Sequence, residues 1–312
     1  MLVSGVLAAF FINDVVCLSL AEPLIEVAQI LEIDAAPLLR ALATGSNIGS
    51  VATITGISAN MIVAGFAGIK YSPFALRLAP VALAGLIIDF CVIAWLYHAR
   101  LNHVRPRSDH ELPAPPTEHR YHLIKSAIVA GATLVLFAMG YPTHLVALGG
   151  GAALLFTRRT HPQSIYEQID WTLLVMFAGL FIVVRAAEST NLLKDLVEAV
   201  GPDRLRNVAL LSAIAAVLSN LVSNVPAVLL FKPIYPQISH GMATALALAS
   251  ASTFAGNLTL VGSMANLIVV EQARRESIEI GFLEYLKVGV PVTIATLVVD
   301  IAWLQFFASP AR

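Results

Sequence analysis

The sequence predicts an all-α polytopic membrane protein with inverted structural repeats, each containing a re-entrant hairpin and a broken transmembrane helix. Three observations predict this class: an apolar composition, a segment that recurs about 206 positions later, and an odd number of apolar stretches between the copies. Of the 312 residues, 58% are hydrophobic and 12% are charged, and the mean hydropathy is +0.80. A soluble domain carries about 25% charged residues. The composition therefore favours a protein embedded in a bilayer.

The recurring segment is apolar but is interrupted midway by Gly, Thr, Ser and Asn. Residues 43–64 read ATGSNIGSVATITGISANMIVA, and residues 251–270 read ASTFAGNLTLVGSMANLIVV. The residues that coincide in the two copies include three pairs: Thr53 and Thr259, Gly56 and Gly262, and Asn60 and Asn266. Paired interrupted helices are the sequence feature that best indicates the binding site of a secondary transporter.

Longer apolar stretches supply full membrane spans. Crossing a hydrocarbon core of about 30 Å takes about 20 helical residues. Stretches of about this length lie near residues 75–98, 122–141, 171–188 and 285–307. A further stretch, residues 143–157, is shorter and contains three consecutive glycines.

Two pairs of shorter apolar pieces predict the hairpins. Residues 2–12 reach Asn13 and Asp14 after about half a bilayer, and a second apolar piece follows. Residues 205–222 and 225–234 flank Ser223 and Asn224 in the same way. A polar tip at membrane depth is tolerated only where protein or a water-filled cavity surrounds it. The tips are therefore expected to face an internal site.

The order of these elements predicts inversion. Each unit closes with an apolar span that carries one carboxylate, Asp89 or Asp300. Three spans separate the units, and an odd number turns the second unit over relative to the first. We therefore divide the chain into a first repeat (1–100), a cytoplasmic linker (101–121) and a second repeat (122–312). Spans equivalent to those before the second hairpin are expected before the first, which predicts an N-terminally truncated chain.

The charges fit this topology and exclude several classes of function. With the linker on the cytoplasmic side, the dense Lys and Arg clusters fall on that side, as the positive-inside rule requires. The net charge of −1 excludes a nucleic-acid-binding balance. Because the sequence contains no nucleophile–base pair or metal motif, we expect neither an enzyme nor a cofactor beyond a coupling ion.

Four segments resemble the hallmark segments of the ion transporter superfamily, the group of arsenite permeases, citrate and divalent-anion carriers and bacterial Na⁺/H⁺ antiporters. They are NDVVCL, GSNIGSVATITG with Asn60 following, SNLVSNVPAVLL and ASTFAGNLTLVGSMANLIV. The resemblance covers almost the whole chain and implies that both hairpin tips and both helix breaks meet at the bilayer midplane. The site residues that it implies are Asn13, Asp14, Thr53, Gly56, Ser58, Asn60, Ser223, Asn224, Asn257, Thr259, Gly262 and Asn266.

The chemistry of these segments favours a small anion. Helix N-termini direct free N–H groups at an anion, while unwound carbonyls and Asn oxygens suit Na⁺. The tips and breaks contain no Lys or Arg. We expect a dicarboxylate, citrate-like anion or oxyanion, with Na⁺ near Asn13, Asp14 and Asn224. Neutral arsenous acid and a cation site around Asp14 remain alternatives. For Asp89 and Asp300 a structural or helix-end role is favoured over proton carriage.

The sequence thus predicts a multi-pass inner-membrane secondary carrier that moves an anion by alternating access, coupled to Na⁺ or H⁺. Its expected partners are the lipid bilayer, the small anion and, at full length, a second copy of the chain, but no nucleic acid. The alternatives are an arsenite efflux permease or a Na⁺/H⁺ antiporter. An alternative of another class is an inactive or regulatory truncated membrane fragment.

Overall fold

The fold is helical throughout the part of the chain that the structure describes. This computed structural model describes residues 1–101, 120–155, 201–239 and 241–307, with single positions between 171 and 186. The helices are α1 (Leu2–Phe10), α2 (Asn13–Ile30), α3 (Ala35–Ser50), α4 (Ser58–Ala67), α5 (Tyr71–Leu101), α6 (Arg120–Ala138), α7 (Thr143–Leu155), α8 (Pro202–Leu205), α9 (Val208–Val222), α10 (Asn224–Phe231), α11 (Tyr235–Ile238), α12 (Met242–Ala255), α13 (Met264–Arg275) and α14 (Phe282–Phe307). A single 3₁₀ turn, Ile54–Gly56, lies between α3 and α4.

Two of the described helices are long and apolar enough to cross a membrane. They are α5, over Tyr71–His98, and α14, over Phe282–Phe306. Both coincide with predicted spans. Their outward faces carry large apolar side chains such as Trp95 and Phe306, which are 77% and 81% exposed. Such faces are suited to lipid, which solvates apolar side chains without cost.

The described residues belong to two compact units. The first comprises 1–69, 73–110 and 190–312, and the second comprises 70–72 and 111–189. Within the second unit α6 packs against α7, and Lys125 Nζ donates to the carbonyl of Leu154 at 3.1 Å. Both are shorter apolar helices at the predicted spans 122–141 and 143–157. The predicted linker and most of the predicted span 171–188 lie outside the described residues.

The predicted hairpin arms appear as helix pairs with shifted boundaries. The first pair breaks at Phe11 and Ile12, so that Asn13 is already the first residue of α2. The second pair breaks at Ser223 alone, with a φ of 78°, and Asn224 begins α10. The first arm of this pair starts at Val208, because the Asn207 side chain accepts hydrogen bonds from the next turn and fixes the helix end there.

Glycine contacts bring α1 very close to α3. A Cβ added at Gly49 would lie 2.0 Å from the carbonyl oxygen of Gly5. Position 49 therefore requires glycine, because any other residue would place its Cβ against the backbone of Gly5. The first arm of the first hairpin therefore packs directly on the first half of the first broken helix.

A shared apolar core joins elements from opposite ends of the chain. On α2 the buried residues follow helical spacing, as do those on α13. The core consists of Cys17, Ala21, Ile25 and Ala28 of α2, Ala35, Leu39, Leu42 and Ala43 of α3, and Ala265, Val269 and Ala273 of α13. This packing places the N-terminus of α2 beside the N-terminus of α13, where the predicted site residues lie.

One buried arginine ties the start of α3 to both long helices. Arg40 is fully buried; its Nη1 donates to the hydroxyl of Tyr97 in α5 at 2.8 Å, and its Nη2 contacts Glu284 Oε2 in α14 at 2.6 Å. The Arg40 guanidinium also lies 5.4 Å from the centroid of the Tyr97 ring. This contact fixes α3 within the first unit at the end remote from its break.

Candidate functional site

Asn47 lies at the centre of a buried amide cluster that joins the first hairpin to the second broken helix. Asn47 Oδ1 accepts from Asn13 Nδ2 at 2.8 Å and from Ser263 Oγ at 3.0 Å. Asn47 Nδ2 donates to Asn257 Oδ1 at 2.9 Å and to Asn266 Oδ1 at 3.0 Å. All five side chains are at most 3% exposed. The amide thus uses both of its donors and both of its acceptor positions.

The same hydrogen-bond pattern supports each helix break, which we define as residues 51–57 and 256–263. Asn60 Nδ2 donates to the carbonyls of Ser50 and Thr53 at 3.0 and 2.9 Å. Asn266 Nδ2 donates to the carbonyls of Gly256 and Thr259 at 2.8 and 3.1 Å. The two carbonyl groups that accept from Asn266 lie 206 positions after the two that accept from Asn60. Carbonyls freed by the breaks are satisfied in this way, as buried backbone requires.

Contacts between the two broken helices also recur at that offset. Asn47 of α3 bonds to Asn266 of α13, and the Thr253 hydroxyl of α12 lies 3.4 Å from Asn60 Oδ1 of α4. Asn47 and Thr253 stand at equivalent positions of the two copies. In each broken helix, the half before the break therefore contacts the first helical turn that follows the break in the other broken helix.

The second hairpin reaches the second break through three polar side chains. With its amide oriented so that the nitrogen faces these acceptors, Asn224 Nδ2 lies 2.7 Å from Ser219 Oγ and 3.2 Å from the carbonyl oxygens of Ser252 and Gly262, and its two protons can serve two of the three. Asn220 donates to the carbonyl of Ala255 and accepts from the Thr259 hydroxyl at 2.9 Å. The tip of this hairpin is therefore joined to the break by direct hydrogen bonds.

The first hairpin contacts the first break and the helix before it. The Thr53 hydroxyl donates to the carbonyl of Ala9 near the end of α1. The Cys17 thiol lies 2.9 Å from the Ser46 hydroxyl of α3. Together with the Asn13–Asn47 bond, these contacts join each hairpin to the broken helix that follows it in the chain.

Four helices begin at this site without a side-chain cap. They are α2, α4, α10 and α13, whose N-cap residues make no side-chain cap hydrogen bond. Of the helices that run toward the site with their C-terminal ends, α3 and α9 are capped by Asp34 and Asn207, whereas α12 begins after Gly241 without a side-chain cap. The free N–H groups and positive dipole ends of four helices are therefore available at the junction.

The remaining predicted residues lie at the junction with different exposures. Gly56 is buried in the first break, where a Cβ would lie 2.2 Å from the carbonyl oxygen of Ser50, and Ser58 is half-buried at the start of α4. Asp14 is half-buried in the first turn of α2, while Ser223 is exposed between α9 and α10. A Cβ at Gly262 would lie 3.0 Å from Asn220 Oδ1.

The structure adds Asn47, Ser219 and Asn220 to the predicted site residues, and it gives Ser263, which lies within the predicted second break, a hydrogen bond to Asn47. Asn47 lies in the helix before the first break, within the duplicated segment but outside its interruption. The offset of 206 holds for polar residues of that helix as well, since Ser46 and Asn47 correspond to Ser252 and Thr253. Extending the repeat comparison from the breaks to the preceding helices would have indicated Asn47.

The site is built from amides, hydroxyls and backbone rather than from a ready metal centre. Among the described residues, no group of three or more His, Cys, Asp or Glu side chains is placed to hold a metal ion. Asn13 Oδ1 is buried without a hydrogen-bond partner. Such an oxygen costs free energy unless a ligand satisfies it, so it is the acceptor in this cluster that is open to a cation or a donor.

Comparison with known proteins identifies the family. The profile of the CitMHS family, described as citrate transporter, matches residues 1–255. The chain belongs to this citrate transporter family. The match includes the first hairpin, the first broken helix, the second hairpin and α12, so the family assignment covers most of the site described above. Membership makes the chain a membrane transporter, and neither the family nor the relatives point to catalysis.

Relatives of this CitMHS chain carry transporter names. An uncharacterised transporter of Mycobacterium tuberculosis is 29% identical, with 98% of this chain and 76% of that protein covered. A silicon efflux transporter of Oryza sativa subsp. japonica is 29% identical, with 96% and 76% covered. The putative transporter arsB of Dictyostelium discoideum is 36% identical over a shorter match, with 56% and 32% covered.

Proposed function

We propose that this chain is a secondary active transporter of a small organic or inorganic anion of the dicarboxylate, citrate-like or oxyanion type. The observation that carries the proposal is the convergence of helix N-termini and amides at the two breaks. Four N-termini without side-chain caps lie in a site with no Lys or Arg. Helix N-termini bind carboxylates and oxyanions through backbone N–H groups and dipoles.

We further propose that the coupling cation binds beside the anion. Asn13 Oδ1 supplies an unpaired buried oxygen, and Asp14 in the same turn supplies a carboxylate. The carbonyls of the breaks are a further source of oxygen ligands, and such oxygens suit Na⁺. Our proposal therefore places Na⁺ near Asn13 and Asp14. On the second hairpin Asn224, which the sequence also indicated, has its amide engaged by Ser219, Ser252 and Gly262.

Alternating access in this proposal uses the recurring architecture. Equivalent hydrogen bonds at Asn60 and Asn266, and the reciprocal contacts of Asn47 and Thr253, support a pseudo-symmetric arrangement of the two halves. In an inverted repeat, exchanging the conformations of two equivalent halves opens a central site first to one side and then to the other.

A second candidate is the efflux of a neutral oxyacid such as arsenous or silicic acid. Two observations favour it: the absence of Lys and Arg from the site, and the rice relative that is named a silicon efflux transporter. Amides and hydroxyls bind a neutral hydroxyl-rich solute without a compensating charge.

An uptake screen with purified protein in proteoliposomes tests the proposal. Citrate, succinate, sulfate, phosphate, arsenite and silicic acid are supplied with and without imposed Na⁺ and pH gradients. We expect at least one of the four anions to accumulate above its external concentration only when a gradient is present. Movement of arsenite or silicic acid without movement of any anion would favour the second candidate, and movement of none of the six would contradict both.

A further inference from the structure

Two buried carboxyl groups outside the anion site occupy equivalent places in the two halves. Asp89 of α5 and Asp300 of α14 are both 0% exposed. Asp89 Oδ2 lies 2.9 Å from the Thr44 hydroxyl of α3, and Asp300 Oδ2 lies 2.7 Å from the Ser250 hydroxyl of α12. In each group Oδ1 is buried without a hydrogen-bond partner. Asp89 lies far from both ends of α5, so a helix-end role does not describe it.

Each partner hydroxyl contacts two acceptor groups at once. Thr44 Oγ1 lies 2.9 Å from the carbonyl oxygen of Arg40 and 2.9 Å from Asp89 Oδ2. Ser250 Oγ lies 2.7 Å from the carbonyl oxygen of Leu246 and 2.7 Å from Asp300 Oδ2. A hydroxyl has one proton to donate. Because a backbone carbonyl only accepts, both contacts are hydrogen bonds only when the carboxyl group supplies the second proton.

The surroundings of these carboxyl groups contain little compensating charge. In the described part of the chain, neither group forms an ion pair with Lys, Arg or His. Tyr285 of α14 and the amino group of Met1 lie near enough to interact electrostatically with Asp89. Among the described residues, the Ser250 hydroxyl is the hydrogen-bond partner of Asp300. Burying an unpaired carboxylate costs far more than burying a neutral acid.

These contacts connect each carboxyl group to the anion site through one helical turn. Thr44 lies three residues before Asn47, and Ser250 lies three residues before Thr253. Residues three apart share a helix face. Losing the carboxyl proton requires the hydroxyl to turn away from its helix carbonyl, so the two protonation states hold α3 and α12 through different hydrogen bonds.

We propose that Asp89 and Asp300 are two equivalent proton-binding sites, and that the protons they hold move with the transported anion. This inference rests on the proposed function, and what it adds is the pair of residues that bind the proton. No bond to substrate is involved: each site binds a proton on one side of the membrane and releases it on the other, while Thr44 or Ser250 exchanges its acceptor.

Infrared difference spectroscopy tests proton binding without any transport. The C=O stretch of protonated buried carboxyl groups is recorded on the purified full chain in liposomes across a pH titration. We expect Asp89→Asn and Asp300→Asn each to remove one band. Ser250→Ala keeps the Asp300 carboxyl but shifts its band, whereas Ser212→Ala, which alters a buried hydroxyl of α9 with no hydrogen-bond partner, leaves it in place. Unchanged bands in both Asn variants, or no shift in Ser250→Ala, would overturn the inference.

Uptake of the labelled anion that the wild-type protein accumulates tests the coupling. Each proton carried with the anion supports about tenfold accumulation per unit of pH difference, since one unit is 1.36 kcal/mol. Losing one site is therefore expected to lower pH-driven accumulation about tenfold per pH unit, while exchange of the same anion at equal pH continues. Accumulation equal to wild type in both variants would overturn the coupling. The infrared measurement requires no substrate. It therefore reports on proton binding even if the protein transports none of the anions, so the two proposals can fail separately.

Discussion

Replacing Asn47 by alanine is expected to reduce anion uptake about 100-fold, because even a 1 Å misplacement within a site has cost other proteins about this much in rate. The substitution leaves the donors of Asn13 and Ser263 and the acceptors of Asn257 and Asn266 without their shared partner. An unsatisfied buried polar group costs about 1–3 kcal/mol. We therefore expect that the first hairpin and the second broken helix are no longer held in fixed positions relative to each other.

The matched control for Asn47→Ala is Gln29→Ala. Gln29 is an exposed amide in the last turn of α2, so its removal alters no buried contact. Initial uptake rates in proteoliposomes are compared at equal amounts of reconstituted protein. A rate for Asn47→Ala within twofold of that for Gln29→Ala would contradict the role given to the amide cluster.

Adding one methyl group at Gly49 is expected to separate α1 from α3 and to destabilise the protein strongly. The new Cβ would lie 2.0 Å from the carbonyl oxygen and 2.4 Å from the Cα of Gly5, which are backbone atoms that cannot rotate away. Overpacking costs about 1–3 kcal/mol even where side chains can adjust, and we expect the upper part of that range or more. The thermal unfolding midpoint in detergent and the monodisperse fraction measure the effect.

Gly65→Ala provides the control for the Gly49 substitution. Gly65 is an exposed helical residue of α4, and a Cβ there meets nothing within 4 Å. Alanine also favours helix over glycine by roughly 1 kcal/mol, so this variant should unfold at or above the wild-type temperature. Similar midpoints for the two variants would show that α1 and α3 do not approach as closely as the structure indicates.

The helix breaks were predictable from sequence because interrupted apolar segments are rare and this chain contains two related ones. Duplication located Asn60 and Asn266, and the structure gives them equivalent hydrogen bonds. Asn47 was missed because it precedes the interruption and because its counterpart in the second copy is Thr253 rather than a second asparagine. Its importance comes from four partners at sequence distances of 34 to 219 residues, which only tertiary structure brings together.

Other structural features depend on which helices are neighbours in the fold, and this cannot be read from residue types. The close approach of Gly5 to Gly49 requires knowing that α1 and α3 are neighbours. The capping role of Asn207 set the start of α9 three residues later than the apolar pattern suggested. The pairing of Asp89 with Thr44, and of Asp300 with Ser250, was hidden because each pair joins two helices. The sequence showed the duplicated carboxylates but not their partners.

The central claim is that both hairpin tips and both breaks form one anion site. Equilibrium binding of the labelled anion that the wild-type protein accumulates tests it most directly. Asn224→Ala alters the second hairpin tip, and Asn266→Ala alters the turn that follows the second break. With purified, monodisperse protein, the account predicts that each variant loses most of the binding seen for wild type. Wild-type affinity in both variants would contradict it and would leave these amides with a purely structural role between helices.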